Sequence, residues 1–300
     1  MNTEYISTSY GDFAYEVNGG GETTFLLLHG GASNLRAWDG VTTILGVSNR
    51  CVVVDLPGHG KTTVEPLKFP DLAHALVEIC TEMNIKKPII VGHSFGGLAA
   101  AITAVNHSEL LTGVMAIDPY LTDREVQRTH ETLEDAIDEV RNMTWPWKDT
   151  SDVDAEVDRC LEKFYSPRQD RSSLKAMIHR GYRLQADNRY TRFPRREDEM
   201  KGVEANWSID VSATFKAIDC PLSIAVSIDS HWRLDKRKAI LAEIASSVSD
   251  FENVEFQCGH DIPGYQPEKL SVYIAAWAER IAKGNVTPGK AADRSGTGFA

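Results

Sequence analysis

Apolar residues cluster along the chain in short unbroken runs, and nearly every run stops at Gly or Pro. TFLLLH (24–29) runs into Gly30-Gly31, CVVVDL (51–56) into Pro57-Gly58-His59-Gly60, PIIV (88–91) into Gly92-His93-Ser94, and VMAI (114–117) into Asp118-Pro119. Further runs cover 221–228 and 254–257. A strand buried on both faces has no polar side to alternate with, so such runs predict strands of a parallel sheet. Residues 4–17 differ and predict two short strands around the turn Tyr10-Gly11-Asp12. Helical patterning lies between the runs, at 35–45, 71–84, 95–104, 236–247 and 268–283. In the second of these, Leu72, Leu76, Ile79 and Met83 keep a 3.6-residue stripe. Strand alternating with helix predicts the α/β class, with a mostly parallel sheet and helices on both faces.

One segment breaks the rhythm. From 121 to 215 no buried-strand run occurs, only polar helical patterning with interspersed aromatic residues, among them Trp145 and Trp147. A structureless loop of that length is foreign to a compact domain, so the segment predicts a helical cap inserted into a core made of 1–120 and 216–285. Residues 286–300 are Gly/Ala/Lys-rich and aperiodic and predict a flexible tail.

Composition narrows the function classes. Hydrophobic residues at 42% and charged residues at 25% are globular values, and a net charge of −11 leaves no basic excess to neutralise a nucleic acid. Five scattered cysteines, never in a CxxC pair, predict buried free thiols rather than a disulfide framework or a zinc site. No apolar run approaches the roughly 18 residues that span a bilayer, and MNTEYISTSYG lacks a leader pattern, so a cytoplasmic protein is expected.

Gly92-His93-Ser94-Phe95-Gly96-Gly97 follows the PIIV run and opens an Ala-rich helix. A serine at a sharp strand-to-helix turn has its hydroxyl lifted above the sheet edge, and only small neighbours leave room for the turn, so Ser94 is the candidate nucleophile. A hydroxyl needs a base within hydrogen-bond reach. His260, after the terminal strand run and Cys258-Gly259, is the candidate, and His231 is its rival. His29 and His59 sit in Gly-rich turns that suit structural hydrogen bonds, while His93 is expected to point away from the reacting face. The acid that orients the base is assigned to Asp229, which closes the 221–228 run in the order Ser, Asp, His. Asp118 is the alternative, and Asp235 a distant third. Backbone N–H groups of Phe95 and Gly31 are the expected oxyanion donors, with Ala32 in reserve.

Together LLLHGG (26–31), VVVDLPGHGKT (52–62), IIVGHSFGGLAA (90–100), the strand-plus-Asp at 221–229 and GHDIPGYQPEKL (259–270) resemble the α/β-hydrolase superfamily. The resemblance implies an eight-stranded, mostly parallel sheet, a helical cap at about 121–215 and acyl transfer through a covalent acyl-enzyme. The acid loop departs from the family pattern, because Asp229 comes one place early, and this keeps Asp118 in play. A Ser nucleophile speaks against the branches that use Asp. Gly60-Lys61-Thr62 imitates a phosphate loop but lacks its first glycine, and the mechanism requires no metal or cofactor.

Cap aromatics, with Trp38 and Trp232 near the two active-site loops, suggest an apolar pocket for a bulky or cyclic acyl group, lined by Trp38, Trp145, Trp147 and Trp232. The arginines at 180, 183, 189, 192, 195 and 196 read as a solvated helical face, with attraction of an acidic substrate as the alternative. The expected activity is hydrolysis of a carboxylic ester or lactone. Cleavage of a C–C bond beside a ketone, or of an amide or thioester, uses the same triad. A catalytically weak receptor on the same fold is the reading from another class. No nucleic-acid or membrane partner is expected, and a homodimer stays open.

Overall fold

The computed structural model describes residues 3–119, 121, 132–142, 149–207, 209–229 and 234–284. Strands β1 (Glu4–Thr8) and β2 (Gly11–Asn18) form the predicted hairpin. They are followed by β3 (Thr24–Leu28), α1 (Asp39–Leu45), β4 (Arg50–Val54), α2 (Phe69–Glu82), β5 (Ile89–His93), α3 (Phe95–His107) and β6 (Gly113–Ile117). The predicted helix at 35–45 divides into a 3-10 turn, Leu35–Trp38, and α1. After the insertion come β9 (Leu222–Ser227), α9 (Leu234–Ser247), β10 (Phe251–Phe256), the short α10 (Ile262–Tyr265) and α11 (Pro267–Ala282). The eight-stranded sheet has the order β1-β2-β4-β3-β5-β6-β9-β10, antiparallel only where β2 meets β1 and β4.

Side chains alternate across a strand, so each buried strand feeds two cores. Leu26, Leu28, Val52, Val54, Ile90, Val114 and Ala116 face the layer with α2 and α3. Phe25, Leu27, Val53, Val91, Met115 and Ile117 face the other, where Leu270, Ile274 and Trp277 of α11 lie at helical spacing. Fully burying a residue of this size contributes about 1.5–3 kcal/mol, which is why these strands carry no polar face.

The insertion holds α4 (Leu133–Asn142), α5 (Val153–Phe164), α6 (Arg171–Arg180), α7 (Arg196–Trp207) and α8 (Val211–Lys216). It also contains a two-stranded sheet, β7 (Tyr182–Leu184) with β8 (Tyr190–Arg192), where only helical patterning was expected. Strands of three residues are too short to show a period. Val157, Cys160, Leu161, Leu174, Ile178 and Tyr182 give the insertion a small core of its own. Of the arginines expected on a solvated face, Arg189 and Arg196 are exposed, but Arg180, Arg183 and Arg192 are not. Arg180 is buried and reaches Asp55 at 2.8 Å, and Arg183 donates to the carbonyls of Gly60 (2.7 Å) and Thr62 (2.8 Å). Buried Arg192 donates to Ala32 O at 2.9 Å. These guanidiniums bind the insertion to the turns after β3 and β4.

All five cysteines are free, four of them buried. Among the described residues no helix is long and apolar enough to cross a membrane. The stretch 286–300 lies outside the described residues.

Candidate active site

Ser94 lies between β5 and α3 with φ 52° and ψ −114°, a conformation that L-residues adopt only when their surroundings impose it. The flanking glycines are what permit it. A Cβ on Gly92 would land on the Gly96 carbonyl, and one on Gly96 would land on the carbonyls of Leu28 and His29. The Ser94 N–H donates to Ile117 O of the neighbouring strand at 2.8 Å, which anchors the turn to β6. Phe95 opens α3, so its N–H is among the first four of the helix, which have no intrahelical partner.

His260 follows β10 and turns back over the sheet edge. Its Nε2 lies 3.1 Å from Ser94 Oγ and its Nδ1 lies 2.6 Å from Asp118 Oδ2. The alternative acid is therefore the one on the histidine, and Asp229 is not. The sheet order supplies the reason. Asp118 ends β6, next to β5, and its N–H bonds to Ala225 O of β9 at 2.7 Å. Asp229 lies one strand further out, beyond the end of β9, where its exposed carboxylate accepts a hydrogen bond from Gln257. Asp235 falls on α9.

The carboxylate of Asp118 is 2% exposed and accepts from Ser227 N (2.9 Å) and Ser227 Oγ (2.7 Å), and it pairs with buried Arg237. Burial by itself would raise its pKa. The hydrogen bond from His260, the Arg237 charge and the Ser227 N–H outweigh burial and bring it down to about 2. It is therefore an anion across the neutral range.

His93 does not simply point away. Its ring stands 4.9 Å from that of His260, and its Nε2 lies 3.0 Å from the His260 carbonyl oxygen, so it holds up the loop that carries the base. Burial pushes its imidazole down to about 4, which leaves it neutral. His29 donates from Nδ1 to Gly30 O at 2.7 Å and accepts the Leu56 N–H at Nε2, as expected of a structural histidine. His59 donates from Nδ1 to Pro57 O at 2.8 Å. The rival His231 lies outside the described residues.

A Cβ added to Gly30 would sit 3.3 Å from Ser94 Cβ, so the turn after β3 runs directly past the serine. The next residue, Gly31, is exposed with open space at its Cβ position. Trp38, expected at the pocket, is instead fully buried in the core cluster that also holds Leu270, Ile274 and Trp277 of α11. Trp145, Trp147 and Trp232 lie outside the described residues. Sequence reasoning missed Ser227, Arg237 and His93 as supports. Only Ser227, at the end of a strand run, carried a positional signal. The imitation phosphate loop is accounted for by Asp55, whose carboxylate accepts the Lys61 N–H at 2.7 Å and whose carbonyl accepts Thr62 Oγ1 at 2.6 Å. Among the described residues no group of three or more His, Cys, Asp or Glu side chains could hold a metal ion.

An oriented hydroxyl, an imidazole beside it and a buried carboxylate behind are the parts of a proton relay. Residues 25–271 match the model described as the Alpha/beta hydrolase family. Esterase Rv0045c of Mycobacterium tuberculosis (strain ATCC 25618 / H37Rv) is 27% identical over 258 residues, which cover 84% of this chain and 81% of that protein. Among solved structures, E-2-(acetamidomethylene)succinate hydrolase aligns with a TM-score of 0.76 at 16% identity, covering 93% of this chain and 99% of the other. The enol-lactonase from Burkholderia xenovorans LB400 aligns with a TM-score of 0.65 at 15% identity, covering 92% of this chain and 100% of the other. At these identities the structural likenesses establish the fold alone.

Proposed function

The chain belongs to the α/β-hydrolase family, and on that footing we propose that it is a serine hydrolase that cleaves carboxylic esters or lactones through an acyl-enzyme. The observation that carries the reading is the unbroken hydrogen-bond chain from Ser94 through His260 to Asp118. Support comes also from the relative that is an esterase and from a neighbour of the same fold that is an enol-lactonase.

In this mechanism Ser94 Oγ attacks the substrate carbonyl as its proton passes to His260 Nε2. Asp118 accepts the Nδ1–H, fixes the tautomer and stabilises the imidazolium. The N–H groups of Phe95 and Gly31 receive the charge that develops on the carbonyl oxygen. The imidazolium then protonates the leaving alkoxide, and water, deprotonated by the same nitrogen, releases the acid. The insertion covers the sheet edge and selects a bulky or cyclic apolar acyl group, and the enzyme works in the cytoplasm.

Labelling by a serine-directed fluorophosphonate, read beside turnover of aryl esters and lactones, tests the proposal. Both signals are expected in the native chain, and both are expected to vanish in Ser94→Ala. Labelling that survives the substitution would remove Ser94 from its role.

A further inference from the structure

Asp118 has more partners than orientation of a histidine requires. A carboxylate offers about four lone-pair sites. Three are taken by His260 Nδ1–H at 2.6 Å, Ser227 N–H at 2.9 Å and Ser227 Oγ–H at 2.7 Å. The fourth meets Arg237, which reaches in from α9 with only 6% of its surface exposed and also donates to Ser227 O at 3.3 Å. Burying a guanidinium costs several kcal/mol in desolvation, so satisfying one oxygen is a weak reason for its presence. Its charge is the feature that no neutral donor could replace.

We propose that Arg237 is a positioning residue that partly neutralises Asp118 and so limits how strongly the protonated form of His260 is stabilised. This rests on reading Ser94, His260 and Asp118 as the triad. A bare buried carboxylate would favour the imidazolium and confine an active, neutral base to higher pH. The Asp118–Arg237 pair presents a nearly cancelled charge, which extends the active range downward. The same fork holds the carboxylate plane toward Nδ1.

The other groups around His260 leave this effect readable. From β5, His93 stays neutral, since burial lowers its imidazole to about 4. From the turn after β10, burial raises the Cys258 thiol to about 12, so it too is neutral. From the insertion, burial raises the Tyr165 phenol, and Gln169 donates to Asp261 Oδ2 at 2.7 Å. Asp229, Asp261 and Lys269 act through space on the neighbouring Cys258 thiol. Among the described residues, Arg237 is the cation in direct contact with Asp118 besides His260 itself when protonated.

The experiment is the rate of fluorophosphonate labelling from pH 5 to 9 in the native chain, Arg237→Gln and Arg237→Lys. In Arg237→Gln the acid limb is expected to move up by about half to one pH unit, with the plateau rate down about tenfold. Arg237→Lys should return the limb to its native position while recovering only part of the rate, because an ammonium lacks the planar fork. An unmoved or lowered limb in Arg237→Gln, with only plateau or melting temperature changed, would overturn the proposal. If that variant does not fold, the same upward displacement is expected between Asp118→Asn and Asp118→Asn/Arg237→Gln, the second of which leaves neither charge of the pair buried alone. Equal limbs there would overturn it as well. Labelling that persists in Ser94→Ala would instead strike the triad reading, so the two failures are distinguishable.

Discussion

At the scale of single residues, the assignment of the acid turns on spatial order rather than chain order. Asp229 satisfies the sequence Ser, Asp, His, but Asp118 satisfies the geometry, because β6 lies beside the strand that carries Ser94. Asp118→Asn is expected to lower kcat/KM for an aryl ester by about 10³–10⁴-fold, since the histidine would lose its tautomer lock. Asp229→Asn, at an exposed side chain, should stay within about threefold. Initial-rate assays on the two variants compare them directly, and the reverse ranking would contradict the assignment. Ser94 and His260 were legible because each is announced by its immediate neighbours, a glycine-flanked turn and a loop after a terminal strand. Asp118, Ser227 and Arg237 form their cluster across 109 or more residues of chain, and no local pattern encodes that. Trp38 was misread for a related reason, since whether an aromatic lines a pocket or fills a core depends on what packs above it.

At the scale of elements, the decisive piece is the turn from β5 into α3. Its two glycines are fixed by contact with backbone, which cannot give way as a flexible side chain can. Gly92→Ala is therefore expected to destabilise the chain by about 2–4 kcal/mol, read as a lowered melting temperature or a loss of soluble protein. A variant with native stability would mean that the turn has slack. The buried strands were readable because burial on both faces removes every polar position, and the helices because a single stripe suffices. The β7–β8 hairpin was not readable, because its two strands of three residues derive their order from the contacts that the insertion makes with the core.

At the scale of the whole molecule, the buried histidines make the fold sensitive to acid. Burial lowers the imidazole of His29 from 6.5 to about 4 and that of His59 from 6.5 to about 3, so both stay neutral in the folded chain at mild acidity. The unfolded chain takes up those protons as pH falls through 6.5, so stability is full above that value and drains away as pH falls toward 4 and 3. Between pH 7.5 and 5.5 the loss is expected to be about 1.4 kcal/mol per histidine, seen as a falling urea midpoint. A flat midpoint over that interval would contradict it. Asp118 acts in a separate window, because its lowered pKa gives stability that is present above about 4 and lost as pH falls through about 2. The arrangement of Ser94 has a further consequence for a chain still being made. Domains form in order as the chain emerges from its N-terminal end. Within this one sheet the serine is synthesised early, but the partner that makes the hydroxyl reactive arrives 166 residues later. A nascent chain that stops short of His260 therefore carries an inert serine, and reactivity toward acyl groups is withheld until the sheet has received its last strand.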